Sequence, residues 1–376
     1  MSTLKVDNIR HNSATSDAIT MASDGTCTAK VTSVGGGQLS HRNKIYNGAM
    51  MISQRGTTFD VNTSSDYTLD RFQVVDSGGI TYDATVTQDS SAPEGFRKSL
   101  KISPDTVETS MSGSENAMIQ QKLEGQDCQD FAFGTSSAKK LTISFYAKSG
   151  SQNNNHQYTL QIRKYDDSGN RNMVNRAFTV TTSWQRYIMT FDGDTAENIR
   201  NDNGLGIQLI WHLATGPSDI HEASTTFGRT VNNSLYSGVT GQSNFLDNTN
   251  NEFYLTGVQL EVGDTATSFE HRSHGDELRR CQRYYEEQYF MDDAGGSYIR
   301  GPVYWKVEKR AAGSPRVHAK RPDGTGSDTV DKIYQASGER DAQCFYSWTG
   351  GTMVFNTGSF NSNQDTLGRV SIDIEL

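Results

Sequence analysis

The sequence predicts an all-β protein: an antiparallel, jelly-roll-like β-sandwich with an N-terminal oligomerising strand segment, one linker helix and a small C-terminal β domain. Three observations predict it. Apolar residues make up only 34% of the chain, and Gly, Ser, Thr, Asn and Asp fill much of the remainder without a dominant repeat, which favours short strands and many turns. Apolar and polar residues alternate with period two over long stretches, and a single stretch shows convincing helical spacing. At 376 residues the chain exceeds the roughly 250 at which one core stops growing, so about two or three domains are expected.

Residues 1–40 read as short strands without a core of their own. Leu4, Val6 and Ile9 form one apolar set, Ile19 and Met21 a second, and a strand around Cys27 to Val31 follows the turn Ser23-Asp24-Gly25. Too few apolar groups are present to fold alone, whereas several copies side by side would bury them jointly. This predicts a segment for oligomerisation and attachment. Ser33-Val34-Gly35-Gly36-Gly37 then reads as a hinge.

From 41 to 272 long alternating strands take over. Leu141, Ile143, Phe145 and Ala147 alternate with Thr142, Ser144, Tyr146 and Lys148, and Tyr158, Leu160 and Ile162 repeat the scheme. The polar run from Ser149 through Gln152, Asn153, Asn154 and Asn155 between them reads as a loop. Further strands are expected at Phe178 to Thr181, Trp184 to Phe191, Gly206 to Leu213 and Glu252 to Val262. No helical pattern joins them, which implies an antiparallel sandwich. Trp184 and Trp211 lie amid apolar neighbours and are expected in its core.

Residues 273–290 are expected to form the linker, with a helix from about Gly275 to Gln288. Asp276 and Glu277 sit near its amino end, and Leu278, Cys281, Tyr284 and Tyr285 make an apolar stripe that reads as a packing face. Residues 291–376 return to strands, at Val303 to Val307, Ile333 to Gln335, Cys344 to Trp348, Met353 to Phe355 and Val370 to Leu376. They predict a smaller β domain whose large side chains include Trp305, Tyr346, Trp348 and Phe355.

The formal net charge of −9 and the lack of a Lys/Arg block argue against nucleic-acid binding. Met1 leads into polar sequence with no apolar run that suits a signal peptide or a span, so no membrane insertion is expected and synthesis in a cytoplasm is. Cys27, Cys128, Cys281 and Cys344 lack C-x-x-C spacing and read as free thiols. Phosphate loops, G-x-S-x-G elbows and H-E-x-x-H pairs are missing, so neither a catalytic centre nor a cofactor is expected. No metal is expected either. His271 and His274 with Asp276 and Glu277 lie at a domain junction, and the oxygen donors Asp247, Asn248, Asn251 and Glu252 are accounted for by an Asx-rich turn, although such donors also suit calcium.

Three groups of residues resemble a known family, the tail-fibre-like or receptor-binding virion proteins of tailed phages of the marine type. The opening Met1-Ser2-Thr3-Leu4-Lys5-Val6-Asp7-Asn8-Ile9 is similar to their first strand. The stretch from Asn43 to Met50, with Gln54-Arg55-Gly56 and Tyr67 to Phe72, resembles the start of their sandwich. The stretch from Phe253 to Gly263, with Phe269-Glu270-His271-Arg272 and Arg280 to Tyr285, resembles its end. The resemblance covers roughly the first 290 residues and implies a virion location, a homotrimer and a sandwich similar to carbohydrate-binding modules. It carries over no ligand-binding residue, because the motifs read as turns, strand cores and a packing helix.

On this reading the chain is a non-enzymatic tail-fibre subunit that contacts a host surface glycan or receptor, with other virion proteins of tail or capsid held through the N-terminal segment. A capsid-attached head fibre or decoration protein is one alternative. A polysaccharide-degrading tailspike is another; it would need two carboxylates about 5–10 Å apart across a sugar cleft. Aromatic rings beside turns suit sugar stacking, so Tyr346 and Trp348, next to Gly350-Gly351, and Phe360 are the predicted contacts. The loop Gln152-Asn153-Asn154-Asn155 is the fallback.

Overall fold

The computed structural model describes residues 6–29 except 11, 14 and 16, and residues 40–292 except 63, 64, 81 and 230–236. Further on it describes 302–303, 306–310, 316–320, 327–328, 332–335, 344–347, 366–373 and 375. For 27–29, 229, 287–292, 302–303 and 316–373 the backbone alone is described. Three short strands come first: β1 (Asn8–Ile9), β2 (Ile19–Met21) and β3 (Cys27–Ala29), paired antiparallel in one sheet. Val6, Ile9 and Met21 remain 36%, 48% and 38% exposed on this sheet, so its apolar groups are not buried within one chain.

The next strands are β4 (Thr58–Val61), β5 (Ser65–Tyr67), β6 (Gln73–Ser77), β7 (Ala84–Asp89), β8 (Ser99–Pro104) and β9 (Asn116–Glu124). After them come β10 (Leu141–Ser149), β11 (Gln157–Tyr165), β12 (Arg171–Thr179), β13 (Gln185–Phe191) and β14 (Leu205–Thr215). The short β15 (Ile220–His221), β16 (Gly228–Arg229) and β17 (Gly238–Val239) precede the long β18 (Phe253–Val262). They build a six-stranded sheet in the order β13-β10-β18-β8-β7-β4 and a seven-stranded sheet in the order β16-β12-β11-β14-β9-β6-β5. Every described pairing in these two sheets is antiparallel, which gives the expected β-sandwich.

Period-two alternation sends one set of side chains between the sheets. Leu141, Ile143, Phe145 and Ala147 meet Leu160, Ile162, Leu209 and Trp211 there, all fully buried. Phe145 lies edge-on to both Phe178 and Trp211, at ring separations of 5.2 and 5.7 Å. Trp184 departs from its expected place. It precedes β13, stays half-buried outside the core, and sits with Tyr254 6.1 Å away and the Lys148 ammonium above its ring. The reason is register: Gln185 pairs with Ala147, so Trp184 falls beside Lys148, on the face turned away from the core. The strand expected at Phe178 to Thr181 is only the end of β12, which begins at Arg171 because polar Asn172 and Asn175 still pair with β11.

The outer face of the six-stranded sheet is itself partly covered. After β18 the chain folds back, and the Glu261 carboxylate accepts from the Thr267 amide and hydroxyl while Gln259 bonds Thr267, Ser268 and Glu270. Thr142 and Ser144 are therefore buried although a half-buried strand was expected.

Helix α1 spans His274–Gln282, with the Ser273 hydroxyl capping the Asp276 amide at 3.2 Å. This corrects the expected helix over 275–288. From Tyr285 the backbone is extended as β19 (Tyr285–Asp292), because this stretch finds a full antiparallel partner in a strand near the end of the chain. Non-local pairing outweighs the local helical period. The later strands are β20 (Pro302–Val303), β21 (Arg316–Lys320), β22 (Ser327–Asp328), β23 (Lys332–Gln335), β24 (Cys344–Ser347) and β25 (Thr366–Asp373). They form two small sheets, β19-β25-β21-β22 and β20-β24-β23. The apolar stripe of the helix packs as expected at Cys281 and Tyr284, both buried, and among the described side chains Cys128 and Cys281 are free buried thiols. No helix among the described residues is long and apolar enough to cross a membrane.

The motif segments converge at this joint. Asn43 accepts from the Ile45 and Leu260 amides and donates to the Val258 carbonyl, and the Asn47 amide donates to Glu277 at 2.7 Å. The Gln54 side-chain amide donates to the Tyr285 carbonyl, while Glu124 accepts from Arg283 and from the Tyr284 hydroxyl. Burial pushes the Glu124 pKa up, but these donors outweigh it and hold the carboxyl below its usual range. Glu375 closes the joint, its carboxylate paired with Arg55 and Arg71.

Candidate functional site: a polar cleft on the seven-stranded sheet

Among the side chains of the seven-stranded sheet that point away from the core is a set of amides, which lies beside apolar Met118, Ile210 and Met173. Gln73 on β6, Gln120 on β9, Gln208 on β14, Arg163 and Gln161 on β11, and Asn175 on β12 form one hydrogen-bonded row across the sheet. Arg163 donates to Gln208 on one side and to Gln161, at 2.7 Å, on the other. From there donation runs outward, Gln208 to Gln120, Gln120 to Gln73 at 2.7 Å and Gln73 to the Ser65 hydroxyl, and in the opposite direction Gln161 to Asn175 at 3.0 Å. All six members of the row are at most 7% exposed. Gln73 and Gln120, Arg163 and Gln208, and Gln161 and Asn175 stand directly opposite across strands, about 5 Å apart, while Gln208 reaches Gln120 on the diagonal and Arg163 reaches Gln161 along its own strand.

Loops wall one end of this row and leave a cleft of about 560 Å³ lined by Val75, Asn116, Met118, Gln120, Arg163, Gln208 and Asp219, among others. The walls need glycine: Gly78, at φ +80°, lies so near the Ser114 carbonyl that a Cβ would come within 2.2 Å of it, and Gly216 meets Gly113 as closely. A 3-10 turn, Pro217–Asp219, presents Asp219, whose carboxylate accepts a long bond from the Asn116 amide. Burial raises the Asp219 pKa, tempered by Asn116, His221 and Arg163, and burial likewise lowers that of Arg163. Among the described residues the Arg163 Nε and Asn116 Oδ1 atoms are buried without a hydrogen-bond partner. A buried polar atom left this way costs about 1–3 kcal/mol.

A second concavity lies on the outer face of the six-stranded sheet. β18 bulges opposite β10 at Gly257, whose φ is +61°. With no Cβ there, the Phe96 and Tyr146 rings approach the strand closely, and the returning segment adds Phe269 and His271, whose rings lie 5.0 and 5.3 Å from Phe96. Farther along this face Lys148 stands 4.3 Å over the Tyr254 ring, and Glu252 bonds both Lys101 and the Tyr254 hydroxyl.

The residues singled out from sequence fall variously. Tyr346 lies in β24, where the backbone alone is described, and Trp348 and Phe360 lie outside the described residues, as do the loops 321–326, 349–351 and 358–363. Asn153 of the fallback loop is fully buried, with its amide donating to the Tyr158 hydroxyl and the Glu252 carbonyl, so it holds the turn. Asp247 accepts from Asn251, Asn248 accepts from Asn250, and Glu252 turns to Lys101, so these carboxylates and amides are engaged with neighbours. Among the described residues no group of His, Cys, Asp and Glu is arranged to hold a metal ion. Sequence reasoning missed the amide row. Its signal is present as outward glutamines at Gln73, Gln120, Gln161 and Gln208, but strand pairing is needed to see that they adjoin.

The sequence matches no family model and no curated protein. Among solved structures, the chain is similar to the enzymatically active domain of tailspike protein 4 of bacteriophage CBA120, at 13% identity and a TM-score of 0.30, over 58% of this chain and 21% of that one. The matched portion thus spans about a fifth of the tailspike chain. It is also similar to the CBM22-1 xylan-binding domain of Paenibacillus barcinonensis Xyn10C, at 12% identity and a TM-score of 0.30, over 62% of this chain and all of that domain. A third likeness is to a CBM61 domain solved with β-1,4-galactotriose, at 12% identity and a TM-score of 0.26, over 59% of this chain and 99% of that one. Superpositions this loose carry no inference about ligand or partner, and the sandwich architecture stands on the chain's own two sheets.

Proposed function

We propose that this chain is a non-enzymatic, glycan-binding subunit of a phage appendage, and that the cleft on the seven-stranded sheet takes the glycan. The observation that carries the binding reading is the cleft itself, about 560 Å³ and faced by Gln120, Gln208 and Arg163 of the row together with Asn116 and Asp219. Fixed donors and acceptors at close spacing suit the hydroxyl pairs of a sugar chain. The virion setting and the trimer rest on the sequence resemblance, and association of copies is supported by the exposed Val6, Ile9 and Met21 at the N-terminal sheet. Binding without hydrolysis is the favoured reading because Asp219 is the one carboxylate among the described lining residues, whereas glycoside hydrolysis uses a pair.

A glycan-array screen of the full chain tests this, followed by calorimetry on the best ligand. Binding is expected, with Gln208→Ala and Gln120→Ala each weakening it about tenfold, the effect of one or two lost hydrogen bonds. Binding unaffected by either change would place the ligand elsewhere. Release of reducing ends, lost on replacing a single carboxylate, would overturn the non-enzymatic reading.

A further inference from the structure

We infer that the aromatic pocket on the outer face of the six-stranded sheet is a second ligand site, and that it takes an acidic pyranose such as a hexuronate unit of a polysaccharide. It shares no lining residue with the cleft, so the two sites stand or fall separately.

Three parts of the chain build the pocket. The bulge at Gly257 makes room for Phe96 on the sheet, the segment tied down by Gln259 and Glu261 delivers Phe269 and His271, and α1 contributes His274 and Glu277. The enclosed space is about 220 Å³. That is below the ~300–1,000 Å³ of pockets for drug-sized ligands and suits a single ring. Phe96, Phe269, Ala49 and Met51 give it an apolar wall, and Met51 remains 39% exposed. Aromatic rings so disposed suit the C–H face of a pyranose.

The charges around this wall are uneven. Arg272 donates to Glu277 and to the Asn43 and Ile45 carbonyls and pairs with Glu270 at 3.6 Å, and Glu277 also accepts from the Asn47 amide, so these charges are neutralised internally. The side chains of Arg97 and His274, also in the lining, make no hydrogen bond or ion pair among the described residues, and His271 makes ring contacts and no ion pair. Glu277 is the one acid in the lining. Arg97 thus stands at the pocket as a cation without an acid partner among the described residues, in a chain of net charge −9. A neutral sugar leaves it unused, whereas a carboxylate on the ring edge meets the Arg97 fork in a charge-assisted bond.

Calorimetric titration of the full chain with an oligogalacturonate and with a neutral galacto-oligosaccharide of equal length tests the inference. The acidic oligomer is expected to bind about tenfold more tightly, as one charge-assisted hydrogen bond provides. Arg97→Gln should remove that preference, and Met51→Glu, a change at an exposed position, should abolish acidic binding by repulsion. Gln208→Ala, in the cleft, should leave it intact. Equal affinity for the two oligomers, absence of acidic binding at millimolar concentration, or acidic binding lost with Gln208→Ala but kept with Arg97→Gln would each overturn the inference. So would equally effective competition by polyglutamate, since the pocket would then read charge and not a sugar.

Discussion

The Arg71 guanidinium lies 3.4 Å from the centre of the Tyr284 ring, joining two motifs separated by more than half the chain. Its other partners are the Lys122 carbonyl and the Glu375 carboxylate, and its side chain is 1% exposed. An arginine so enclosed acts as the pin of the joint between the sandwich and the strands that follow α1. Arg71→Met keeps the volume but leaves Glu375 to Arg55 and removes the donor to the Lys122 carbonyl, so it is expected to lower stability by about 1–3 kcal/mol. Urea denaturation of both proteins measures this, and a loss below 1 kcal/mol, roughly the level of a surface pair, would show that the pin is dispensable.

Gly257 is expected to tolerate no side chain. At φ +61° an L-residue costs about 1–2 kcal/mol, and an added Cβ would also come within 2.8 Å of both the Phe96 and Tyr146 rings. Gly257→Ala should therefore lower the melting temperature and shift the ring resonances of Phe96 and Tyr146. An unchanged melting temperature would mean that the bulge relaxes.

His212 gives the fold a pH dependence. It is fully buried, neither ring nitrogen has a hydrogen-bond partner among the described residues, and burial, then Arg163, drives its pKa well below 6.5. The unfolded chain takes up a proton below pH 6.5 that the folded chain refuses, so the stability this group provides is present above pH 6.5 and is lost as pH falls. The slope is about 1.4 kcal/mol per pH unit for one proton. Comparing denaturation of the wild-type chain with His212→Leu from pH 7.5 down to about 5 isolates it. Parallel stability profiles would show that the ring is protonated in place.

Removing residues 1–38 should convert an oligomer to a monomer in light scattering while leaving the melting of the sandwich unchanged. The exposed Ile9 and Met21 belong to a three-stranded sheet of eight strand residues, too small to be stable alone. A monomeric full chain at micromolar concentration would remove the motive for the segment.

The sandwich was legible because Leu141 to Lys148 and Tyr158 to Arg163 alternate cleanly, and both became strands with the expected inward sets. Trp184 was misplaced because its facing depends on the register with Ala147, which local hydrophobicity does not encode. The overlong helix failed for a related reason: Tyr285 to Asp292 carries a pattern compatible with either state, and a partner over 70 residues away decides it. The cleft was invisible for want of an aromatic cue. Its glutamines read as ordinary outward residues until five strands are laid side by side.

Arginine has no acceptor, and this gives the amide row a direction. With Arg163 donating to both neighbours, Gln208 and Gln161 must each turn an oxygen toward it and a nitrogen away, and every amide beyond is oriented in turn. Arg163, with the Tyr165 hydroxyl that also donates to Gln208 at 2.9 Å, thus sets the direction of hydrogen bonding along the row, as a magnet aligns a line of compass needles. A neutral residue in its place would free Gln161 and Asn175 to flip while Tyr165 still held Gln208, so half of the row would lose its single orientation.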